Sequence, residues 1–190
     1  MSTTRGAQQR ASFLAGAVDH VLGHGVTALS LRQLAAALGT SDRMLLYYFG
    51  TRERLLDAVL TAVGEQLRAG LEAALPADPM PPAVLLRSAW GVVSNPDNEA
   101  HLRLYVEISG LAARGQEPFR TTAAAVARGW LDWTAARLAV TGDERHRAAA
   151  GLLAVLDGLL LTRFVTGKET AQEAAMWLGV ALGATSARDS

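Results

Sequence analysis

Apolar residues recur at helical spacing along nearly the whole chain, and nowhere alternate with polar ones as a strand would require. Over residues 8–22, Phe13, Leu14, Ala17, Val18 and Val21 share one face of a predicted helix that ends at Gly23 and Gly25. Leu31, Leu34, Ala35 and Leu38 form a second stripe, which stops at Gly39, where a left-handed residue closes a helix. Leu45 and Phe49 mark a third short helix, from about Asp42 to Tyr48. From Arg52 the stripe Leu56, Val59, Leu60, Val63, Leu67 and Leu71 predicts a helix of about six turns reaching Leu75. The run PADPMPP then breaks the pattern with four of the six prolines. Beyond it, helices are expected over 82–94, 98–114, 118–141, 143–166 and 170–184, the last opened by a capping box from Thr170 to Glu173. The chain reads as all-α, with about nine helices.

The two short helices carry the clearest local signals. Ser30 and Gln33 fit the S-x-x-Q capping box, with Leu29 and Leu34 placed for a hydrophobic staple. Ser41 can cap the next helix. A short Gly-containing turn between two such helices is the geometry that lays a second helix into the major groove of DNA. On that second helix Arg43, Met44, Tyr47 and Tyr48 are expected to face outward. Arginine can fork onto guanine or a phosphate, and a tyrosine hydroxyl bonds phosphate. Arg52, in the first turn of the long helix behind a Thr51 cap, opposes the helix dipole, which an external anion would explain.

These residues resemble a known family. The run G-T-S-x-x-x-L-x-Y-Y-F from Gly39 to Phe49, followed by G-T-R-E-R-L, closely resembles the DNA-binding domain of the TetR family of bacterial transcriptional regulators, and ordered motifs extend over roughly residues 8–70. The resemblance implies an N-terminal three-helix helix-turn-helix domain over 1–54, joined by the long helix to a helical ligand-binding and dimerisation domain over 55–190. Carried over by position, Ser30 and Arg32 resemble backbone contacts, Thr40, Ser41, Arg43, Met44 and Tyr47 fall where recognition-helix contacts lie, and Arg52 takes the place of a phosphate-binding lysine. One departure is Leu46, where the family commonly has tyrosine; Tyr47 or Tyr48 is left to supply that contact.

Composition narrows the alternatives. The chain is neutral overall, so it is no general binder of nucleic acid by charge. Residues 1–54, however, carry six arginines against three acids, a net of +3, and the rest is net −3. No apolar run looks long and uncharged enough to span a membrane, no secretory signal is visible and there are no cysteines, so a soluble cytoplasmic protein is expected. Hydrolase, zincin and phosphate-loop motifs are missing, and the four histidines are dispersed, which argues against an enzyme. His20 and His24 have a metal-compatible i, i+4 spacing but no third ligand, so neither metal nor other cofactor is expected.

The C-terminal half suggests two further sites. Trp90, Tyr105, Phe119, Trp130 and Trp133 could line a pocket for an apolar or aromatic effector, in the region where the family resemblance implies one. The last two helices are apolar almost all round and need cover that the chain does not supply. Leu152, Leu156, Leu159, Leu160, Trp177, Leu178 and Ala181 are the candidates for a two-fold homodimer interface, as the family resemblance implies; the rival reading makes both helices the centre of a monomeric core. The expected function is a DNA-binding transcriptional regulator, a repressor released by a small molecule and bound as a dimer to a palindromic operator. The alternative is a helical carrier or adaptor without specific DNA binding.

Overall fold

The computed structural model describes residues 2–27 and 30–186 and, within them, nine α-helices. They are α1 (Ser2–His24), α2 (Leu31–Ala37), α3 (Asp42–Phe49), α4 (Arg52–Ala74), α5 (Pro82–Val93), α6 (Glu99–Ala113), α7 (Phe119–Ala136), α8 (Glu144–Val165) and α9 (Lys168–Ser186), with one 3-10 turn at Pro96–Asn98. The all-α expectation holds. Leu29, the expected staple partner of Leu34, lies outside the described residues.

Contacts group the chain into two compact units, each made of two separate stretches. The first comprises Met1–Leu67 and Glu99–Ala124. Its core collects Phe13, Val18 and Val21 from α1, Leu34 from α2, Leu45 and Phe49 from α3, Leu56 and Val59 from α4, and Leu104 and Leu111 from α6. Leu34 and Leu45 are fully buried, and each contributes about 2 kcal/mol by removal from water, enough to hold two helices too short to persist alone. Thr122 of α7 is buried here and donates to Asp57 Oδ1 at 3.0 Å.

The second unit comprises Arg68–Asn98 and Ala125–Ser190. In it α5 packs on both α8 and α9, and α8 packs on α9. Directional bonds fix the packing: Trp90 Nε1 donates to Gln172 Oε1 at 2.9 Å, Arg163 Nη1 to the Ser94 carbonyl at 2.6 Å, and Arg87 Nη1 to the Gly179 carbonyl at 3.3 Å.

Three expectations change. Helix α7 ends at Ala136 rather than 141, because the next residues pair with the proline segment in an isolated parallel bridge between Met80 and Leu138. Met80 donates to the Arg137 carbonyl and accepts from the Ala139 amide, both at 2.9 Å, and a backbone so engaged leaves the helical ladder. Helix α9 starts at Lys168, which puts Thr170 inside its first turn and rules it out as the cap. Helix α8 is long and apolar enough to cross a membrane, contrary to the sequence expectation; its Arg163, however, is buried and donates to the Ser94 carbonyl.

Candidate nucleic-acid interface

The turn between α2 and α3 is built from backbone bonds that the sequence signals anticipate. Leu38 caps α2, Gly39 takes φ 62°, the Gly39 amide donates to the Ala36 carbonyl at 3.2 Å, and the Thr40 amide donates to the Ala35 carbonyl at 2.9 Å. This is a Schellman closure, and its left-handed residue is the glycine. Ser30 Oγ accepts from the Gln33 amide at 3.1 Å and donates to Gln33 Oε1 at 2.9 Å, so the glutamine side chain closes on the hydroxyl. Ser41 Oγ accepts from the Met44 amide at 3.3 Å and opens α3. Gly50, at φ 84°, ends it, and Thr51 Oγ1 takes the Arg54 amide at the start of α4.

Helix α3 has two distinct sides. Leu45 and Phe49 are buried, while Arg43, Met44, Leu46 and Tyr47 are exposed, Tyr47 by 77%. Ser30, Arg32, Ser41 and Arg52 are exposed as well, and Thr40 is half-buried. The outer face of three consecutive helices therefore presents cations, hydroxyls and one exposed phenol, Tyr47, whose ring meets that of Tyr48 edge to face at 5.1 Å. Glu53, beside Arg52, is held below the usual carboxylate range by its own backbone amide and by Thr51, so it stays ionised and tempers the local positive charge.

Tyr48 corrects an expectation. It does not point outward with Tyr47 but lies half-buried in the first unit, its ring edge-on to Phe13 with centroids 5.6 Å apart. At the far end of α3, Arg10 of α1 lays its guanidinium over Phe49, 4.7 Å from the ring centroid. The sequence reading missed this contact, because nothing local links residues 10 and 49.

The remaining candidates fare unevenly. Of the five aromatics, Tyr105 and Phe119 belong to the first unit, where Phe119 packs on the core and Tyr105 is 37% exposed. The three tryptophans belong to the second. Trp90 is a buried core residue bonded to Gln172, whereas Trp130 and Trp133 meet edge to face at 5.7 Å. Trp133 Nε1 donates to Glu72 Oε1 at 3.0 Å, and the Arg137 guanidinium covers its ring at 4.4 Å.

Among the interface candidates, Leu152, Leu159 and Leu160 are buried inside the second unit, where α5, α8 and α9 pack together, so they cannot face a partner. Leu156, Leu178 and Ala181 are half-buried and Trp177 is 71% exposed. The large apolar side chains left outside on these helices are the expected Trp177 and, beyond it, Leu161 and Val165 on α8 and Met176 and Val180 on α9. His20 and His24 stack on each other at 4.4 Å, and His24 Nδ1 meets the His20 carbonyl at 2.9 Å; partial burial and then the His24 charge lower the His20 pKa.

Comparison with known proteins places this geometry. Residues 13–59 match the profile described as bacterial regulatory proteins, tetR family, so the resemblance read from Gly39 to Phe49 stands. Solved structures match over nearly the whole chain. A provisionally assigned TetR-family transcriptional regulator from Rhodococcus sp. superposes with TM-score 0.73 at 20% identity, covering 94% of this chain and 98% of that one. The multidrug binding protein EbrR in complex with proflavin gives 0.69 at 27% identity, covering 91% and 98%. A TetR transcription regulator from Haloarcula marismortui gives 0.64 at 19% identity, covering 94% and 98%. No curated protein matches the chain in sequence.

Proposed function

We propose that the chain is a dimeric transcriptional repressor with a DNA reader of TetR type, and that it leaves its operator when a small molecule binds. The observation that carries the reading is the two-sided α3, anchored by Leu45 and Phe49 and exposing Arg43, Met44 and Tyr47 behind a Schellman turn. An Arg on such a face reads guanine or holds phosphate, and a phenol holds phosphate. Thr40 and Ser41 flank them, while Ser30, Arg32 and Arg52 grip the backbone.

Two copies joined through the exposed stripe of α8 and α9 would present two α3 helices to half-sites about 34 Å apart on a palindrome. Leu161, Val165, Met176, Trp177 and Val180 form that stripe, and a second copy of the same stripe is its natural cover. An effector acts by favouring a separation that no longer fits. A hundredfold release needs about 2.7 kcal/mol of preference for the unbound conformation. EbrR, similar in structure, has been crystallised in complex with proflavin and with ethidium. That likeness, with the Trp130–Trp133 pair, supports a flat aromatic effector here. The protein would act in the cytoplasm, without enzymatic chemistry.

The test is binding to DNA from upstream of its own gene and to a genomic fragment library, at fixed stated salt with excess competitor, alongside Arg43→Ala. Saturable binding that survives competitor, and that weakens and loses its preference over competitor in the variant, is the expected result. Failure on the whole library would leave the carrier or adaptor reading.

A further inference from the structure

We propose that Glu107 of α6 is a positioning residue for the DNA reader: its carboxylate clamps the turn between α1 and α2 and thereby sets the angle at which α2 and α3 present their outer face. The inference rests on the functional reading above and adds a residue and a mechanism to it.

The carboxylate accepts a full set of bonds from that turn. The Val26 amide donates to both oxygens, at 3.2 and 3.1 Å, the Thr27 amide to Oε1 at 2.9 Å, and the Thr27 hydroxyl to Oε1 at 2.7 Å. All of these groups belong to the first unit. Gly25, at φ 78°, is shaped to the clamp, since a Cβ there would stand 2.8 Å from Glu107 Oε2. The clamped turn leads within a few residues to Ser30, the cap of α2.

The placement of Glu107 on α6 separates angle-setting from mere cohesion. It lies on the same face as Leu104 and Leu111, three residues after one and four before the other, and both leucines are buried in the reader's core. Apolar contacts supply cohesion but are non-directional, so α6 could rock on them at little cost. Hydrogen bonds to an ionised acceptor are short, directional and stronger than neutral ones. Three donors making four bonds to one carboxylate fix the turn to α6 in a single orientation. A small rotation of α6 breaks them together, and α2 then loses its fixed entry into the reader.

The test compares wild type with Glu107→Gln, which replaces one acceptor oxygen by an NH2 group aimed at donors, and with Thr27→Val, which removes one donor and leaves the carboxylate. Three quantities are read: amide exchange at residues 25–27, affinity for the selected DNA relative to competitor, and the salt dependence of binding. In Glu107→Gln the Val26 and Thr27 amides should lose protection, and specific affinity should fall about tenfold or more. Helical content and the salt slope should hold, because the phosphate contacts are unchanged. Thr27→Val should show the same pattern more weakly, and the double variant should cost less than the two single effects combined.

Faster exchange at Val26 and Thr27 with DNA binding intact would overturn the positioning role and leave a structural tie. Unchanged protection in Glu107→Gln would overturn the clamp itself, whatever the DNA result. If Glu107→Gln fails to fold, Thr27→Val decides in the same terms. A wild type that selects no DNA would overturn the functional reading and the positioning role with it, while exchange would still decide whether the carboxylate holds the turn.

Discussion

Tyr48 meets Phe13 edge to face, centroids 5.6 Å apart and planes at 64°, while its neighbour Tyr47 is 77% exposed. Adjacent tyrosines on one short helix thus have separate tasks, one anchoring α3 to α1 and the other facing out. Tyr48→Ala should destabilise the protein by about 2 kcal/mol in urea unfolding through lost packing. Tyr47→Phe should stay within about 0.5 kcal/mol of wild type and weaken DNA binding by the loss of one phosphate bond.

The caps of the two short helices can be weighed in the same way. Ser30→Ala removes the side-chain acceptor of the Gln33 amide, and Ser41→Ala removes one of two acceptors of the Met44 amide, which also donates to the Ser41 carbonyl at 2.9 Å. Each should cost about 1 kcal/mol in denaturant unfolding, and Ser41→Gly only a few tenths. A Ser41→Ala protein as stable as wild type would show that the tertiary contacts of Leu45 and Phe49 hold α3 without its cap.

Arg43 and Arg52 should separate by salt rather than by affinity alone. Arg52, placed as a phosphate contact, should on replacement by Ala weaken binding evenly across DNA sequences and lower the salt slope by about 1. Arg43→Ala should instead cost about 1–3 kcal/mol on the preferred sequence and relax its discrimination. Equal losses on all sequences for both variants would make Arg43 a backbone contact too.

The reader was legible in the sequence because its signals are local: Ser30, Gly39, Ser41 and Thr51 each act on atoms within a few residues of themselves. Tyr48 was misplaced although its spacing was informative, since it follows the buried Leu45 by three residues and shares that side of the helix. Glu107 gave no such clue, because its partners lie eighty and eighty-one residues away. The early end of α7 was equally hidden, being set by Met80. On α8 and α9, apolar residues lie on every side, so periodicity gives no direction. Sequence alone does not separate the buried Leu159 and Leu160 from Leu161 and Val165, which face out, although Leu161–Val165 and Met176–Val180 keep the i, i+4 spacing of a stripe.

That stripe yields an assembly prediction. Trp177→Glu or Val180→Asp should convert a dimer to a monomer in sedimentation velocity with little change in monomer helicity, because both side chains are already exposed within one chain. Leu159→Ala, at a buried position, should lower stability by about 2–5 kcal/mol instead. A charged Trp177 variant that remains dimeric would place the interface elsewhere.

His101 makes stability depend on pH. Desolvation holds its imidazole below the ordinary value of 6.5, while Nε2 meets Gln66 Oε1 at 3.3 Å. The unfolded chain therefore takes up a proton more readily than the folded one, and the stability associated with neutral His101 is lost as pH falls below about 6.5 toward the folded value. His20 is shifted in the same direction. Urea midpoints at pH 7.5 and 5.5 should fall less for His101→Gln than for wild type, and an equal fall in both would remove His101 from the account.

The core that holds the reader draws Leu104 and Leu111 from a stretch the chain reaches only after building α5. Residues 1–67 are thus no cassette: cut out and fused to another regulator, they would carry two empty sockets where α6 had packed, and the Val26 and Thr27 amides would turn to water. Recombination that trades readers between such proteins must carry the later helix along, so the heritable module here follows proximity in space and not contiguity in the gene.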